Sequence, residues 1–201
     1  AEMRDPNPAV PTRGGLGGAF CPSDGFIRPM SILEGYIEDA KRRGVRFLFR
    51  EELEAIHETG GRITSVATKN REIRAGAVVN AAGPWAREVA GMAGVDLPVF
   101  PHRRSVAATT LTSLLPEDMP MTIFTCDGFH LRVRDGRVLL LRPGDGDQHG
   151  DDAWCDEILR VGIERIPCLR DARLDRTMCW SGNYEMSPDR HAILGPAVEC
   201  A

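Results

Sequence analysis

The sequence predicts a mixed fold, α+β with an α/β element: a β-meander leading into a strand, turn and helix, then a separate antiparallel sheet. Three observations carry this reading. The stretch Val78–Trp85 reads Val-Val-Asn-Ala-Ala-Gly-Pro-Trp, an apolar run that collapses into the smallest side chains where a helix should begin. A Gly60-Gly61 pair separates two strand-like runs. Asp127-Gly128 and Asp135-Gly136 punctuate further short apolar runs, and consecutive hairpins imply an antiparallel sheet.

The elements follow in order. Residues 1–13 carry Pro6, Pro8 and Pro11 and read as irregular. After Pro29 a helix is expected, with Ser31 as cap, Glu34 completing a capping box, and Ile32, Leu33, Tyr36, Ile37 and Ala40 on one face. Lys41, Arg42 and Arg43 suit its carbonyl end, and Gly44 can take the left-handed cap. Val45–Phe49, Leu53–Glu58 and Ile63–Thr68 then read as a meander leading to a buried strand at Ala77–Asn80.

Pro84, at a first helical position, opens a short helix to Ala93 that Gly94 closes. Strands are expected at Val106–Leu111, Met121–Cys126, Phe129–Arg134 and Val138–Arg142. A helix near Ala153–Arg165 and a strand near Arg173–Trp180 complete the second half.

Small residues in the Val78–Trp85 turn let a ligand approach main chain. Amides and a helix start at the end of a strand suit a phosphate, ribose or carboxylate. A tightly packed βα turn with no ligand has the same composition.

The 201 residues, 42% hydrophobic, suffice for one large domain or two small lobes. The net charge of −4 and the scattered Lys and Arg argue against nucleic acid as a partner. No apolar run approaches a membrane span and no secretory signal pattern opens the chain. Cys21, Cys126, Cys155, Cys168, Cys179 and Cys200 show no zinc-ligand spacing, so reduced, isolated packing thiols in a cytoplasmic setting are expected, with no metal. Asp145–Gly150 with Asp156 imitates a calcium loop. His149 at a ligand position and Asp156 in place of the bidentate Glu argue for a solvated acidic loop.

Four blocks, in order, resemble a known family: Gly17–Pro29, reading Gly-Gly-Ala-Phe-Cys-Pro-Ser-Asp-Gly-Phe-Ile-Arg-Pro; Val45–Thr68; Val78–Trp85; and Trp180–Asp189 with Ile193-Leu194-Gly195. Together they are similar to FAD-dependent amine and amino-acid oxidoreductases of the D-amino-acid oxidase type, including the β subunits of sarcosine oxidase and dye-linked proline dehydrogenase, and glycine oxidase. Members of that family begin with a Gly-x-Gly-x-x-Gly unit for the FAD pyrophosphate. Here Gly14–Gly18 puts Phe20 where Gly15-x-Gly17 needs its third glycine, so this stretch is expected to be a loop and the chain an internal piece of a longer flavoenzyme.

The resemblance implies a partial FAD-binding lobe over residues 1–98, an antiparallel substrate lobe over 99–180 and a return to the FAD lobe over 181–201. It implies oxidation of a C–N bond in a small amine or amino acid of the sarcosine, glycine or proline class, with hydride transfer to FAD. For the cofactor it points to Leu53, Ala81, Ala82, Gly83, Trp85 and Gly195. For the substrate it points to His130 and Arg132, which alternation puts on one sheet face, and to Tyr184. Arg134 shares that face, so an exposed hairpin with charged rungs is the competing reading. Asp189, after Pro188, reads as a turn former. Partner subunits are possible on the same grounds, and the isolated 201 residues are expected to retain FAD weakly and not to turn over. The alternative from another class is a non-catalytic binding or assembly module built on this fold.

Overall fold

The computed structural model describes residues 7, 9–11, 17–144 and 150–197. Of the acidic calcium-like stretch only Gly150 and Asp156 fall among these residues, and Gly14–Leu16 lie outside them. Backbone contacts divide the chain into two compact units, one of Ala1–Gly25 with His102–Tyr184 and the other of Phe26–Pro101 with Glu185–Ala201. The sequence had kept residues 1–25 with the meander. Instead Val10 joins the hydrophobic core of the hairpin unit, and Asn7 Nδ2 donates to Thr122 Oγ1 (2.5 Å).

In the meander unit, α1 (Pro29–Arg42) starts two residues before the expected Ser31 cap. Pro29 takes the first helical position, where its missing N–H leaves no bond unmade, and no side chain caps the end. Its C-terminus closes as expected: Gly44 has φ +85° and the Val45 amide donates to the Ala40 carbonyl (3.0 Å). No residue of α1 is buried, and Ile32, Leu33 and Tyr36 of its apolar row are exposed.

Three strands follow, β1 (Leu53–Thr59), β2 (Arg62–Thr68) and β3 (Arg71–Arg74), paired antiparallel in the order β1-β2-β3. The third was not anticipated, while Val45–Phe49 and Ala77–Asn80 form no strand. A strand needs a neighbour for its main-chain groups, and these two runs find none among the described residues; Val79 is 90% exposed. After Asn80 a 3-10 turn, Gly83–Trp85, runs into the short helix α2 (Ala86–Gly91).

The hairpin unit is built on a five-stranded sheet. Its strands are β4 (Phe100–Ala108), β5 (Thr122–Ile123), β6 (His130–Arg134), β7 (Arg137–Leu141) and β8 (Trp180–Met186), in the order β5-β6-β7-β4-β8. Asp135 (φ +51°) and Gly136 (φ +71°) make the two-residue turn between β6 and β7, as their dipeptide predicts. The Glu117 carboxylate holds this tip, accepting from the Asp135 amide (2.8 Å) and the Gly136 amide (3.0 Å). The strand expected at Arg173–Trp180 lies later, because Asp175 accepts from the Thr177 amide (3.2 Å) and hydroxyl (2.6 Å) and folds Arg176–Met178 into a 3-10 turn.

The helix α3 (Asp152–Arg165) covers one face of this sheet, its first turn capped by the Asp151 carboxylate accepting from the Trp154 amide (2.8 Å). Phe129, Leu131, Val138, Leu140, Ile158, Ile166 and Leu169 are fully buried there. Each of the larger ones contributes about 1.5–3 kcal/mol through apolar burial.

At the helix C-terminus Arg165 donates to Asp127 Oδ2 (2.9 Å), while Asp127 Oδ1 accepts from the Phe129 amide (3.1 Å). Burial opposes ionisation of Asp127, yet Arg165 and the Phe129 amide outweigh it and hold the carboxyl below the usual carboxylate range. A carboxyl whose folded pKa is depressed stabilises the fold above its unfolded pKa of about 3.9 and loses that contribution as pH falls through the folded value. Asp127→Asn should therefore cost about 1 kcal/mol near pH 6 and almost nothing near pH 2, read from urea midpoints at the two pH values. An equal cost at both would rule out the ion pair as the source.

Candidate functional site

In the meander unit the Val78–Trp85 turn is held by a side chain that the sequence reading passed over. Asn80 Oδ1 accepts from the Ala82 amide (3.2 Å), and Asn80 Nδ2 donates to the Ala86 carbonyl (2.7 Å). One side chain thus spans the turn from the end of the apolar run to the first residue of α2. The hint available in the sequence was an Asn directly before Ala-Ala-Gly, the local chemistry of an Asx turn.

Gly83 has φ +56°, and a Cβ built there would meet nothing within 4 Å. The glycine is required by its conformation, and the space beyond it is open. Among the described residues no hydrogen bond engages the Ala81 or Gly83 amide. With Trp85 60% exposed beside them, the corner offers main-chain donors and an aromatic face to a ligand. α2 has only six residues, so its dipole adds little.

Leu53 lies in the same unit, half-buried at the start of β1 and paired with Thr68 just before a bulge. Glu51 fixes this strand entrance. Its carboxylate accepts from Thr68 Oγ1 (2.8 Å) and Asn70 Nδ2 (3.2 Å) and pairs with Arg71 (2.9 Å). The Thr68 hydroxyl, ahead of the other partners, holds Glu51 below the ordinary range of a glutamate. These partners are distant in the chain, so no local pattern announced them. Gly195 is exposed with φ +143°, and a Cβ there would also meet nothing within 4 Å.

In the hairpin unit the alternation along β6 is as expected: Leu131 and Val133 are buried, and His130, Arg132 and Arg134 lie half-buried on the opposite face. His130 stands opposite Leu141 and Arg132 opposite Leu139. His130 Nδ1 lies 2.8 Å from the Gly128 carbonyl, which can only accept, so Nδ1 carries the proton and Nε2 is the acceptor of the neutral ring. Burial first, and the neighbouring charge of Arg134 second, lower the Arg132 pKa from its ordinary value.

Arg137, next along the hairpin, donates to the Thr109 carbonyl (2.7 Å) and to Asp175 (2.9 Å). Tyr184 is 59% exposed on β8, the far edge strand. Two strands separate it from β6, about 14 Å at ordinary strand spacing, so His130 and Arg132 are brought together and Tyr184 stands apart from them. Asp189 orders its own turn, accepting from Ser187 Oγ (2.9 Å) and the His191 amide (3.1 Å).

Among the described cysteines Cys155 is buried, Cys168 and Cys179 are half-buried, and Cys21 and Cys126 are exposed. Among the described residues no group of three or more His, Cys, Asp or Glu is placed to hold a metal ion, and no helix is long and apolar enough to cross a membrane.

A family model described as "DAO: FAD dependent oxidoreductase" matches residues 1–200. The chain is 28% identical over 203 residues to hydrogen cyanide synthase subunit HcnC of Pseudomonas aeruginosa, covering 98% of this chain and 47% of that protein. It is 28% identical over 194 residues to sarcosine oxidase subunit beta of Rhizobium meliloti, covering 94% of this chain and 45% of that one. The chain therefore spans about half the length of these curated relatives. Among solved structures it superimposes on L-proline dehydrogenase from P. horikoshii with a TM-score of 0.87 at 22% identity, over 98% of this chain and 54% of that one. At that identity the likeness is one of fold.

Proposed function

Because the chain belongs to the family of FAD-dependent oxidoreductases, which brings FAD as cofactor of the complete protein, we propose that it forms part of an enzyme oxidising the C–N bond of a small amine or amino acid. The observation that supports this reading is that His130 and Arg132 share one face of β6, which sets an imidazole beside a guanidinium. The sarcosine oxidase subunit among the relatives supports the substrate class.

The residues present fit the cofactor. Ala81, Ala82, Gly83 and Trp85 offer unobstructed main chain and an aromatic face, Leu53 an aliphatic edge, and Gly195 an open backbone. Bound FAD supplies a two-electron acceptor for the hydride leaving the substrate α-carbon.

The chain's own residues then have two tasks. Arg132 binds the substrate carboxylate through two parallel N–H donors and so fixes the α-carbon. His130, its Nδ1–H tied to the Gly128 carbonyl, presents Nε2 to take a proton from the substrate ammonium, leaving the neutral amine that can lose hydride. The imine produced hydrolyses in water.

The test is stopped-flow reduction of the complete, FAD-loaded protein that contains this chain by sarcosine, glycine and proline, with a dye as final acceptor. At least one should bleach the flavin and reduce the dye in an amine-dependent way. FAD that stays oxidised with all three would end the proposal and leave the binding or assembly module standing.

A further inference from the structure

We infer that the substrate of the reaction proposed above carries an apolar substituent of two or more carbons on its α-carbon or amine nitrogen, received by Ile123, Leu139 and Leu141 around His130 and Arg132. This rests on that reading of the function and narrows its substrate class.

The composition of β7 is the first ground. A sheet with one face on a core and the other in water alternates apolar and polar residues along each strand. β7 instead reads Arg137-Val138-Leu139-Leu140-Leu141, apolar on both faces. Val138 and Leu140 belong to the core that α3 covers. Leu139 is also buried, yet it lies outside that core, and Leu141 is half-buried on the same side as Leu139. β5 repeats the pattern in miniature: Thr122 is half-buried and accepts from Asn7, while Ile123 is exposed.

The register is the second ground. Residues directly opposite each other in an antiparallel pair share a face, with Cβ atoms about 4.5–5.5 Å apart. Ile123 and Leu141 both stand opposite His130, one on each flank, and Leu139 stands opposite Arg132. The imidazole and guanidinium therefore rise from a strip of three hydrocarbon side chains. They are two residues apart, roughly 7 Å along the strand.

With the substrate carboxylate on Arg132 and its nitrogen at His130 Nε2, the α-carbon lies between these two rungs. A substituent on the α-carbon or the nitrogen then extends over Leu139, or sideways from His130 to Ile123 or Leu141. Hydrocarbon placed there removes apolar surface from water on both partners, and the exposed Ile123 has the most to lose from water. A hydroxyl or a charge in the same place loses hydration, and these three side chains offer it no hydrogen bond in return. Glycine forgoes the contact altogether.

The experiment uses the complete, FAD-loaded protein that contains this chain, with a dye as acceptor. It measures kcat/KM for glycine, alanine, α-aminobutyrate and norvaline, each chiral one as both enantiomers, and for sarcosine, N-ethylglycine and N-propylglycine. In at least one of the two series the value should rise about two- to fourfold per added methylene. The hydroxyl-ended isosteres homoserine and N-hydroxyethylglycine should stay at or below α-aminobutyrate and N-ethylglycine. Ile123→Thr keeps a β-branched side chain at an exposed position, so folding survives, and it should flatten the rise. Arg132→Met should instead weaken every member by a similar factor and leave the slope. Values that are flat or falling along both series, or a rise equally steep in Ile123→Thr, would overturn the inference and leave C–N oxidation standing. Flavin that stays oxidised with every member would bring down the reaction and this inference together.

Discussion

Replacing Gly128 by alanine is expected to destabilise the hairpin unit by about 2–5 kcal/mol, the largest effect of any single-methyl addition considered for this protein. Two separate costs add. Gly128 has φ +70°, a region that costs an L-residue roughly 1–2 kcal/mol. The added Cβ would also lie 2.3 Å from Pro143 Cγ and 2.8 Å from its Cδ. A proline ring cannot swing aside, so backbone must move, at roughly 1–3 kcal/mol.

The turn cannot yield easily, because the Gly128 amide donates to the Phe124 carbonyl (2.8 Å) and its neighbour Phe129 is fully buried. Gly136→Ala is the control. Its φ is nearly the same, +71°, but its Cβ would meet only the end of the exposed Leu111 side chain at 3.2 Å. It should cost only the conformational part, about 1–2 kcal/mol. Urea midpoints of the two variants separate the terms, and equal midpoints would remove the steric one.

Arg132→Met should lower kcat/KM for a carboxylate-bearing amine by roughly 10²–10³-fold, about 3–4 kcal/mol of lost binding in the transition state. Methionine keeps much of the aliphatic stem over Leu139, so folding should survive while the fork is lost. A contact made equally in ground and transition states shows as raised KM with little change in kcat, and this is the expected split. Arg132→Lys should recover only part of the loss, because an ammonium cannot make the bidentate pair. Arg134→Met is the control, its guanidinium lying 3.5 Å from Asp135, and should change kcat/KM less than about threefold. Arg132→Met with unaltered kinetics on carboxylate substrates would refute the assigned role.

How far the sequence could be read depended on whether each determinant was local. The Asp-Gly turns, a helix near Ala153–Arg165 and the alternation of β6 are set by neighbours in the chain, and all were legible. The hairpin sheet and the two faces of β6 followed from them. Ala77–Asn80 has the composition of a buried strand, but a ladder needs a second strand and composition cannot supply one. β8 went unseen for the opposite reason: Ser181, Gly182, Asn183, Tyr184 and Glu185 make a polar strand without alternation, paired among the described strands with β4. At the candidate site His130 and Arg132 were legible as a pair. Asn80 and Glu51, which hold the turn and the entrance of β1, act through side-chain bonds that leave no periodic trace.

The Glu117 grip on the β6–β7 tip bears on more than that corner. Slipping one strand by a single residue would turn Leu131 and Val133 outward and drive His130 and Arg132 into the apolar interior. With the carboxylate fastened at one extremity of the ribbon and the Pro143 ring wedged against Gly128 at the other, such a misalignment meets an obstacle at both ends. The imidazole and guanidinium are thereby indexed to a fixed rung, so fidelity of alignment, more than rigidity of either side chain, determines where they point.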